Sequence, residues 1–315
     1  METFKVGDIV ARKSYNYDVL FKVTKINSNG IIDLAGLTVR IIADAPEYDL
    51  KHISKEEMEK RILNTEKSRM ARINRCYMNM NKKINGYNNL REQISVDDSP
   101  NIFKKESILK KPGIVLHIDG DPEYTNKCRE NYKKMGVTAY TYNIPEQEQY
   151  KQIYSLLQKI RPNILILTGH DAFIRKKNDI YNIDNYKNSK YYIQGVLEAR
   201  RYEHNLDNLV IFAGACQSYY EAILSAGANF ASAPKRVLID MMDPLIVAQT
   251  IAYTPVDDFV PIANIISNTR EGISGIGGIQ TRGQLRTQLN YLPFHYIGIV
   301  ISKTALAVFF VKIGI

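Results

Sequence analysis

The second half of the chain alternates apolar runs with amphipathic stretches, and this alternation constrains the fold more than any other feature of the sequence. The runs at 164–167 and 209–213 are apolar throughout, as in strands that are buried on both faces. The resulting β-α-β-α order predicts a mostly parallel sheet flanked by helices, with ligands bound at the carboxyl ends of the strands. Strands are predicted at 113–118, 137–142, 163–168 and 208–213, and helices at 122–135, 146–160 and 191–202.

Short predicted strands separated by turn residues fill the first 50 residues. The sequence at 27–30, Asn-Ser-Asn-Gly, is a predicted turn because Asn and Gly tolerate positive φ. Short, evenly spaced strands are typical of a small barrel of the SH3-like kind, which we place at 1–53. Such barrels bind protein or RNA, or serve as passive appendages. The strands are expected at 5–12, 19–26, 31–34 and 37–42.

A basic helix and a linker are predicted at 54–111. Ser54 and Glu57 fit a capping box, and apolar residues then recur at spacings of three and four. The opposite face carries Lys and Arg, which fits either a basic arm for an acidic partner or a solvated helix that packs one stripe on the main domain. We favour the packed helix. Loop residues and a charge run predict the linker at 97–112. The apolar face contains Met70, Ile73, Tyr77, Met80 and Ile84.

The composition is that of a globular protein of a reducing compartment. Apolar residues make up 45% and charged residues 24%, which excludes a mostly disordered, collagen-like or polytopic membrane chain. Three cysteines cannot build a disulfide framework, and the first residues have no signal-peptide core, so we expect a cytoplasmic protein. The net charge of +9 fits a nucleic-acid, membrane-surface or acidic-protein partner without choosing among them.

An apolar tail at 293–315 ends the chain. Lys303 and Lys312 interrupt it, so it lacks the clean apolar length of a membrane span. We interpret the tail as a final strand or helix of the core, with a tail anchor or a disordered extension as the alternatives.

Reactive side chains follow three of the predicted strands. Asp119 and Asp121 follow the first strand, His170 the third and Cys216 the fourth. If the third and fourth strands are neighbours, about 4.8 Å apart, the imidazole and the thiol emerge at one edge of the sheet. The imidazole and the N-terminus of a helix predicted at 219–226 would then favour the thiolate, the nucleophilic form of the side chain.

The joint occurrence of His170 and Cys216 is more specific than either residue alone. A lone Cys after a strand is usually a small buried hydrophobe, as we expect for Cys76 and Cys128, and a lone His is usually structural. A strand that ends in His and a strand that ends in Ala-Cys-Gln 46 residues later match the caspase type of cysteine peptidase. Backbone amides of Cys216 and of a residue near Gly169 would form the oxyanion hole. One Cys and one His give no metal-ligand set, so neither a metal nor a cofactor is expected.

The sequence Asp119-Gly120-Asp121 supports another hypothesis. Two acids after a strand can hold Mg²⁺ and supply an aspartyl nucleophile, as in a phosphatase. No phosphate-binding Gly-rich loop accompanies them. The favoured interpretation is that these acids shape the substrate cleft or cap the next helix, where Pro122 suits the first turn.

Several longer motifs are distinctive and extend from residue 5 to about 290. With them, the chain resembles the YabG family, sporulation-specific peptidases of endospore-forming bacteria. The motifs are GDIVARKSY at 7–15, IADAP at 42–46, HIDGDPEY at 117–124, TGHDA at 168–172, FAGACQS at 212–218, AGANFAS at 226–232, DP at 243–244 and GGIQTRG at 277–283.

The resemblance implies a cysteine endopeptidase that acts in the mother cell, in its cytoplasm or at the spore coat, on spore coat and cortex-associated proteins. It implies cleavage after basic residues through a thiolate acyl-enzyme mechanism, and self-cleavage. By position, Cys216 is the nucleophile and His170 the general base. The implied fold is a caspase-like, mostly parallel α/β sheet at 112–292, preceded by the small SH3-like β-barrel.

One position departs from the caspase and gingipain class that the layout resembles. That class usually has Gly directly after the His, whereas this chain has Asp171 there and Gly169 before it. The predicted oxyanion hole therefore includes the backbone amide of Cys216 and a second amide, which is that of either Gly169 or Asp171.

A pocket for a basic side chain requires an acidic residue, and the sequence does not rank the candidates. A fifth strand would pass beside Cys216, so the segment at 229–232, with Ser232, is expected to form a pocket wall. The candidate acids are Asp119, Asp121, Asp171, Asp240 and Asp243.

A protein of another class stays possible at this point. A catalytically silent scaffold for coat assembly would bind through the barrel and the basic helix, and it would need no thiolate. Under either interpretation we expect protein partners and no membrane, nucleic-acid or small-molecule cofactor partner.

Overall fold

A computed structural model describes residues 3–94, 109–174 and 179–288. Its first unit is an antiparallel sheet of five strands in the order β4-β3-β2-β1-β5. Inward-facing residues alternate with outward-facing ones, so side chains such as Val10, Val23, Ile32 and Leu34 fill one core. The strands are β1 (Ile9–Arg12), β2 (Leu20–Ile26), β3 (Ile31–Gly36), β4 (Ile42–Pro46) and β5 (Leu50–His52).

The strand predicted at 37–42 is wrong for most of its length. The Gly36 N–H donates to the carbonyl oxygen of Ile41 at 2.9 Å, which closes a β3–β4 hairpin whose tip is residues 37–41. Strand β4 begins at Ile42, after the tip. Val39 and Ile41 of the tip are buried in one cluster with the apolar residues of the N-terminal sheet and with Cys216 and Ile239 of the main domain. A sequence pattern reports this burial but does not distinguish a hairpin tip from a strand.

The predicted basic helix is α1 (Lys55–Ile94). The Ser54 hydroxyl accepts the Glu57 N–H at 3.2 Å, as a capping serine does. The helix packs against the main domain, where Ile73 is buried and Arg69 is 1% exposed, whereas Met70 is 36% exposed. The side chains of Cys76, Tyr77, Met80 and Ile84, most of the linker and the tail at 293–315 lie outside the described residues.

The main domain contains a sheet of six strands in the order β12-β11-β10-β9-β7-β8. Five of these strands are parallel, and β12 pairs antiparallel with β11. The strands are β7 (Val115–Asp119), β8 (Ala139–Asn143), β9 (Ile164–Thr168), β10 (Val210–Ala213), β11 (Phe230–Ser232) and β12 (Ile276–Gly278). A two-stranded antiparallel sheet joins β6 (Leu109–Lys111) to β13 (Arg286–Gln288).

Helices cover both faces of the six-stranded sheet. Alternate residues of each central strand point to opposite cores, so Ile166 and Phe212 pack on one face and Leu165 and Ile211 on the other. The helices are α2 (Pro122–Lys134), α3 (Glu146–Ile160), α4 (Ser189–Tyr202), α5 (Tyr220–Ser225), α6 (Asp243–Tyr253) and α7 (Ile262–Asn268).

The strand order fixes where a ligand can bind. The chain runs from β7 outward to β8, then returns to the other side of β7 and continues through β9, β10 and β11. The direction of winding therefore reverses between β7 and β9, and the helices leave an open crevice at the carboxyl ends of such a strand pair. Asp119 ends β7, and His170 lies two residues after the end of β9.

The mixed α/β architecture and the N-terminal antiparallel sheet are confirmed, while the caspase-like and SH3-like details stay predictions. In the part of the chain that the structure describes, no helix combines the length and the apolar character needed to span a membrane.

Candidate functional site

The sheet brings the predicted nucleophile and base to the same edge. Strands β9 and β10 are parallel neighbours, with Leu167 paired to Ala213. His170 and Cys216 each lie three residues beyond this pair. No hydrogen bond joins their side chains among the described contacts, and each side chain has other partners.

The Cys216 thiol is completely buried. Its sulfur accepts the Ile239 N–H at 3.3 Å, and its S–H faces the Ile239 carbonyl oxygen at 3.6 Å. Burial raises the pKa of the Cys216 thiol to about 12, although the backbone N–H groups of Ile239 and Arg40 at the sulfur favour the thiolate. The helix predicted to place its N-terminus beside this thiol is α5, a helix of six residues that begins at Tyr220.

The loop around Cys216 is held by serines. Ser218 Oγ accepts the Ala215 N–H at 2.9 Å, and Ser232 Oγ donates to the Ala215 carbonyl oxygen at 2.7 Å. Ser232 belongs to β11, the fifth parallel strand, which lies beside β10 as predicted. The Ser232 hydroxyl therefore holds the backbone of the loop that carries Cys216 in place.

The His170 backbone is fixed by three side chains. Glu146, the first residue of α3, accepts the His170 N–H at 2.7 Å. Asn188 Nδ2 and the Tyr192 hydroxyl donate to the His170 carbonyl oxygen at 2.8 and 3.2 Å. The His170 amide is thus occupied and does not face the crevice as an oxyanion donor.

The His170 ring lies between two carboxylates and an aromatic ring. Its Nε2 is 3.7 Å from Asp121 Oδ2 and its Nδ1 is 3.8 Å from Glu146 Oε1. The Tyr124 ring stacks on it with centroids 6.0 Å apart. The imidazole is therefore oriented by acids, as a general base requires.

Asp119 holds a buried arginine. Arg40, in the hairpin tip of the N-terminal sheet, donates from Nη1 to Asp119 Oδ2 at 2.5 Å, and both side chains are 0% exposed. Burial alone would raise the pKa of Asp119, but the Arg40 charge, the neighbouring His117 and the Asp121 N–H together outweigh burial and hold that pKa far below its ordinary value. Burial alone would lower the pKa of the Arg40 guanidinium, but Asp119, together with Cys128 and Tyr124, outweighs burial and raises it.

Further groups complete the surroundings of this guanidinium. Nη2 donates to the Met241 carbonyl oxygen at 3.2 Å and lies 3.9 Å from Cys128 Sγ. The Tyr124 ring faces the guanidinium carbon at 4.9 Å, a cation–π distance. Together with Asp119, these groups form a pocket that fits an arginine side chain.

The other predicted pocket acids have different partners. Asp121 caps α2 by accepting the N–H groups of Glu123 and Tyr124. Asp240 binds the guanidinium groups of Arg69 and Arg72, both from α1. Neither acid faces the Arg40 guanidinium.

Asp171 and Asp243 are buried acids with raised pKa values. Asp171 accepts hydrogen bonds from the hydroxyls of Ser189 and Ser218, and burial raises its pKa to about 6 despite these donors. Asp243, at the start of α6, accepts the N–H groups of Asp240 and Arg270. Burial, followed by the neighbouring Asp240 charge, raises the pKa of Asp243 to about 7. Both acids organise backbone around the site.

One group of three potential metal ligands lies among the described residues. The ligand atoms of His117, Asp119 and Cys128 are within 4.8 Å of one another. The Arg40 guanidinium contacts Asp119 and Cys128 of this group, so its positive charge takes the place that a cation would need. Of the two acids of the suggested Mg²⁺ site, Asp119 is bound to Arg40, and Asp121 uses Oδ1 to cap α2.

Two residues of the site were missed in the sequence. Arg40 was not recognised as a site residue because a single Arg within the apolar run 37–42 is also the pattern of a strand at the edge of a sheet. Glu146 was placed at a helix start, where an acid is favoured by the helix dipole alone. Both residues can be identified as part of the site only from their contacts with the strand ends, and these contacts depend on tertiary structure.

Comparisons with known proteins show the family to which the chain belongs. The family model described as YabG peptidase U57 matches residues 5–290. The Sporulation-specific protease YabG of Bacillus subtilis (strain 168) is 40% identical over 292 residues, which cover 91% of this chain and 98% of that protein. No solved structure matches the chain. The extent of both matches identifies the chain as a member of the YabG peptidase family.

Proposed function

We propose that this chain is a cysteine endopeptidase that cleaves protein substrates after arginine during sporulation. Membership of a peptidase family supports hydrolysis of peptide bonds. The observation that carries the finer proposal is the Arg40 guanidinium bound to buried Asp119 while the Arg40 backbone N–H reaches the Cys216 sulfur. An arginine side chain in that pocket brings its own backbone to the thiol, as a cysteine peptidase specific for arginine requires.

In the proposed reaction, His170 takes the proton of the Cys216 thiol and the thiolate attacks the carbonyl carbon that follows arginine. The C–N bond breaks, the amine leaves with the proton from His170, and a thioester remains on Cys216. Water, deprotonated by His170, then hydrolyses the thioester. Asp121 and Glu146 stabilise the imidazolium that forms in each half of the cycle, because both lie within 4 Å of the ring.

Arginine fits the pocket better than lysine does. The Arg40 guanidinium binds a carboxylate and a carbonyl oxygen through two different nitrogens and faces the Tyr124 ring. A lysine ammonium is a compact point charge that cannot reproduce this planar set of contacts. We therefore propose Asp119 as the specificity acid, and Asp121, Asp171, Asp240 and Asp243 as structural or positioning acids.

The proposed substrates are spore coat and cortex-associated proteins, with self-cleavage of the chain in addition. The printed name of the Bacillus subtilis relative, a sporulation-specific protease, supports the setting. We place the activity in the mother cell, in its cytoplasm or at the coat.

One observation favours the scaffold without catalysis. The Cys216 thiol is buried, with a raised pKa of about 12, so it is a poor nucleophile in the structure described here. A scaffold and a peptidase differ in whether removal of this thiol changes the fate of a substrate.

The test is cleavage of an arginine-rich protein such as a protamine, with the product termini read by mass spectrometry. Wild type should produce fragments that end in arginine, and Cys216→Ala and His170→Ala should each lower the rate at least about a thousandfold. Cys76→Ala, on α1, and His204→Ala, at an exposed position, are the matched controls and should cleave at the wild-type rate. Equal cleavage by all five folded proteins, or by none, refutes the proposal.

A further inference from the structure

The tip of the β3–β4 hairpin, residues 37–41, packs on its own sheet and also pairs with the main domain through its backbone. Val39 forms an antiparallel bridge with Asp240, and Ile41 forms a parallel bridge with Asp171. The tip therefore lies between two segments of the α/β domain, which is how an extended peptide binds by adding a strand to an existing edge.

Side chains on both sides clamp the tip. The Tyr124 hydroxyl lies within hydrogen-bond distance of the carbonyl oxygens of Gly36 and Leu37, at 3.3 and 3.1 Å. Arg69 of α1 donates to the Thr38 carbonyl oxygen while it pairs with Asp240. Backbone and side-chain contacts thus hold the tip as they would hold a bound peptide.

The tip also covers the chemistry of the site. Cys216 belongs to the same buried cluster as Val39 and Ile41 and has no exposed surface. Arg40 fills the pocket of Asp119, and its side chain has no exposed surface either. An external peptide can reach neither the thiol nor the specificity acid while the tip is docked.

We propose that the β3–β4 hairpin tip is a built-in competitive inhibitor, in which Arg40 occupies the arginine pocket of the same chain. This inference rests on the proposed function, because it assigns the occupant of the same pocket. It makes the described structure the inhibited state, which accounts for a buried nucleophile in a peptidase. The ligand that replaces the tip is an arginine side chain of a protein substrate.

The hairpin explains why the tip acts as an inhibitor and is not consumed as a substrate. The Ile41 N–H, which would become the leaving amine, donates to the Val39 carbonyl oxygen at 3.0 Å, and the Ile41 carbonyl oxygen accepts from Gly36. Strand β4, directly after Ile41, pairs with β3 along its length. If the bond after Arg40 were broken, the new amine would stay beside the thioester and the peptide bond would form again.

The test measures binding of benzamidine, an aromatic amidinium that mimics the arginine head group, by calorimetry. All proteins carry Cys216→Ala, so that no turnover occurs and binding is separated from catalysis. Apparent affinity falls with the fraction of molecules whose pocket is open, so a tip docked in at least about nine of ten molecules weakens binding at least about tenfold. Arg40→Gln should therefore bind benzamidine at least about tenfold more tightly than the parent.

Two further variants control this result. Arg12→Gln changes another arginine of the same sheet, one that pairs with Asp49 away from the pocket, and should bind as the parent does. Adding Asp119→Asn to Arg40→Gln should abolish binding, which locates the probe. If circular dichroism shows that Arg40→Gln does not fold, Arg40→Lys replaces it in the binding test. Arg40→Lys keeps a cation near Asp119 but loses the planar guanidinium, so we expect it to bind benzamidine several-fold more tightly than the parent.

The outcomes separate this inference from the proposed function. Equal benzamidine affinity in the parent and in the folded Arg40 variant overturns the inhibitor, even if cysteine-dependent cleavage is observed. Tighter binding that needs Asp119 supports the inhibitor, even if no variant cleaves protein. In the Cys216-containing enzyme, Arg40→Gln should also raise kcat/KM for a benzoyl-arginine anilide at least about tenfold, while Arg12→Gln leaves it unchanged.

Discussion

The ion pair of Arg40 and Asp119 should dominate the stability of the contact between the N-terminal sheet and the main domain. Both side chains are 0% exposed, and their charged atoms are 2.5 Å apart. Asp119→Asn keeps the shape of the side chain but leaves the Arg40 charge buried without a counter-charge. Removing one partner of such a pair costs about 3–5 kcal/mol, whereas replacing both with apolar or neutral groups is often nearly neutral.

The assay is urea unfolding at pH 7, followed by far-UV circular dichroism because the chain contains no tryptophan. All variants carry Cys216→Ala to prevent self-cleavage. Asp119→Asn should lower the free energy of unfolding by about 3–5 kcal/mol, and adding Arg40→Met should recover most of the loss. Glu198→Gln, which breaks the exposed pair with Arg201, is the control and should cost less than about 1 kcal/mol.

Two results would refute this reasoning. A loss below about 1 kcal/mol in Asp119→Asn would mean that water reaches the Arg40 guanidinium in solution. A double variant whose loss equals the sum of the single losses would mean that Arg40 and Asp119 are not coupled.

Three further predictions concern the edge of the sheet. The pKa of Asp171 is raised to about 6, above an unfolded value of about 3.9, so protonation of Asp171 stabilises the fold below pH 4, and this stabilisation, about 3 kcal/mol in all, is lost as the pH rises through 6. In urea unfolding, Asp171→Asn should therefore reduce the decrease of the unfolding free energy between pH 4 and pH 6. An equally steep decrease in Asp171→Asn would contradict the prediction. Gly214→Ala should destabilise the protein by about 2 kcal/mol in the same assay, because Gly214 has φ +107° and a Cβ there would lie 2.5 Å from Ser232 Oγ. A urea midpoint equal to that of the parent would show that the loop relaxes freely. Glu146→Ala should lower kcat about tenfold with little change in KM, because Glu146 positions His170. Glu146→Gln keeps an acceptor oxygen and should retain most of the wild-type kcat. A change in KM alone would assign Glu146 to substrate binding.

The sequence was sufficient to predict the sheet and the edge where its reactive residues meet. Runs such as 164–167 are apolar because both faces of the central strands are buried, and this local signal survives without tertiary information. The parallel pairing of β9 with β10 then brings His170 and Cys216 to one edge.

The choice among the five acids could not be predicted. Asp119 differs from Asp121 and Asp171 in what faces it, and its partner is Arg40, 79 residues earlier in the chain. An acid at a strand end has the same local pattern whether it caps a helix, buries a carboxyl group or binds a guanidinium. The position of the hairpin tip, on which our proposal of Asp119 rests, is set by packing between two distant parts of the chain.

The same limit explains the strand wrongly predicted at 37–42. Leu, Val and Ile around a single Arg favour a strand by propensity. In the structure, Val39 and Ile41 are buried between the N-terminal sheet and the main domain, and their backbone pairs with single residues of the main domain. Local propensity reports the burial correctly but does not show which part of the chain pairs with the backbone.

Covalent capture of the nucleophile decides whether Cys216 is the residue that attacks the substrate. A peptidyl-arginyl chloromethyl ketone alkylates a thiolate beside an arginine pocket and releases chloride, and tryptic mass spectrometry locates the adduct. We expect one adduct, on Cys216, in parallel with loss of proteolysis, and no adduct in Cys216→Ala. Proteolysis that persists in Cys216→Ala, or inactivation with the adduct on another residue, would contradict this expectation.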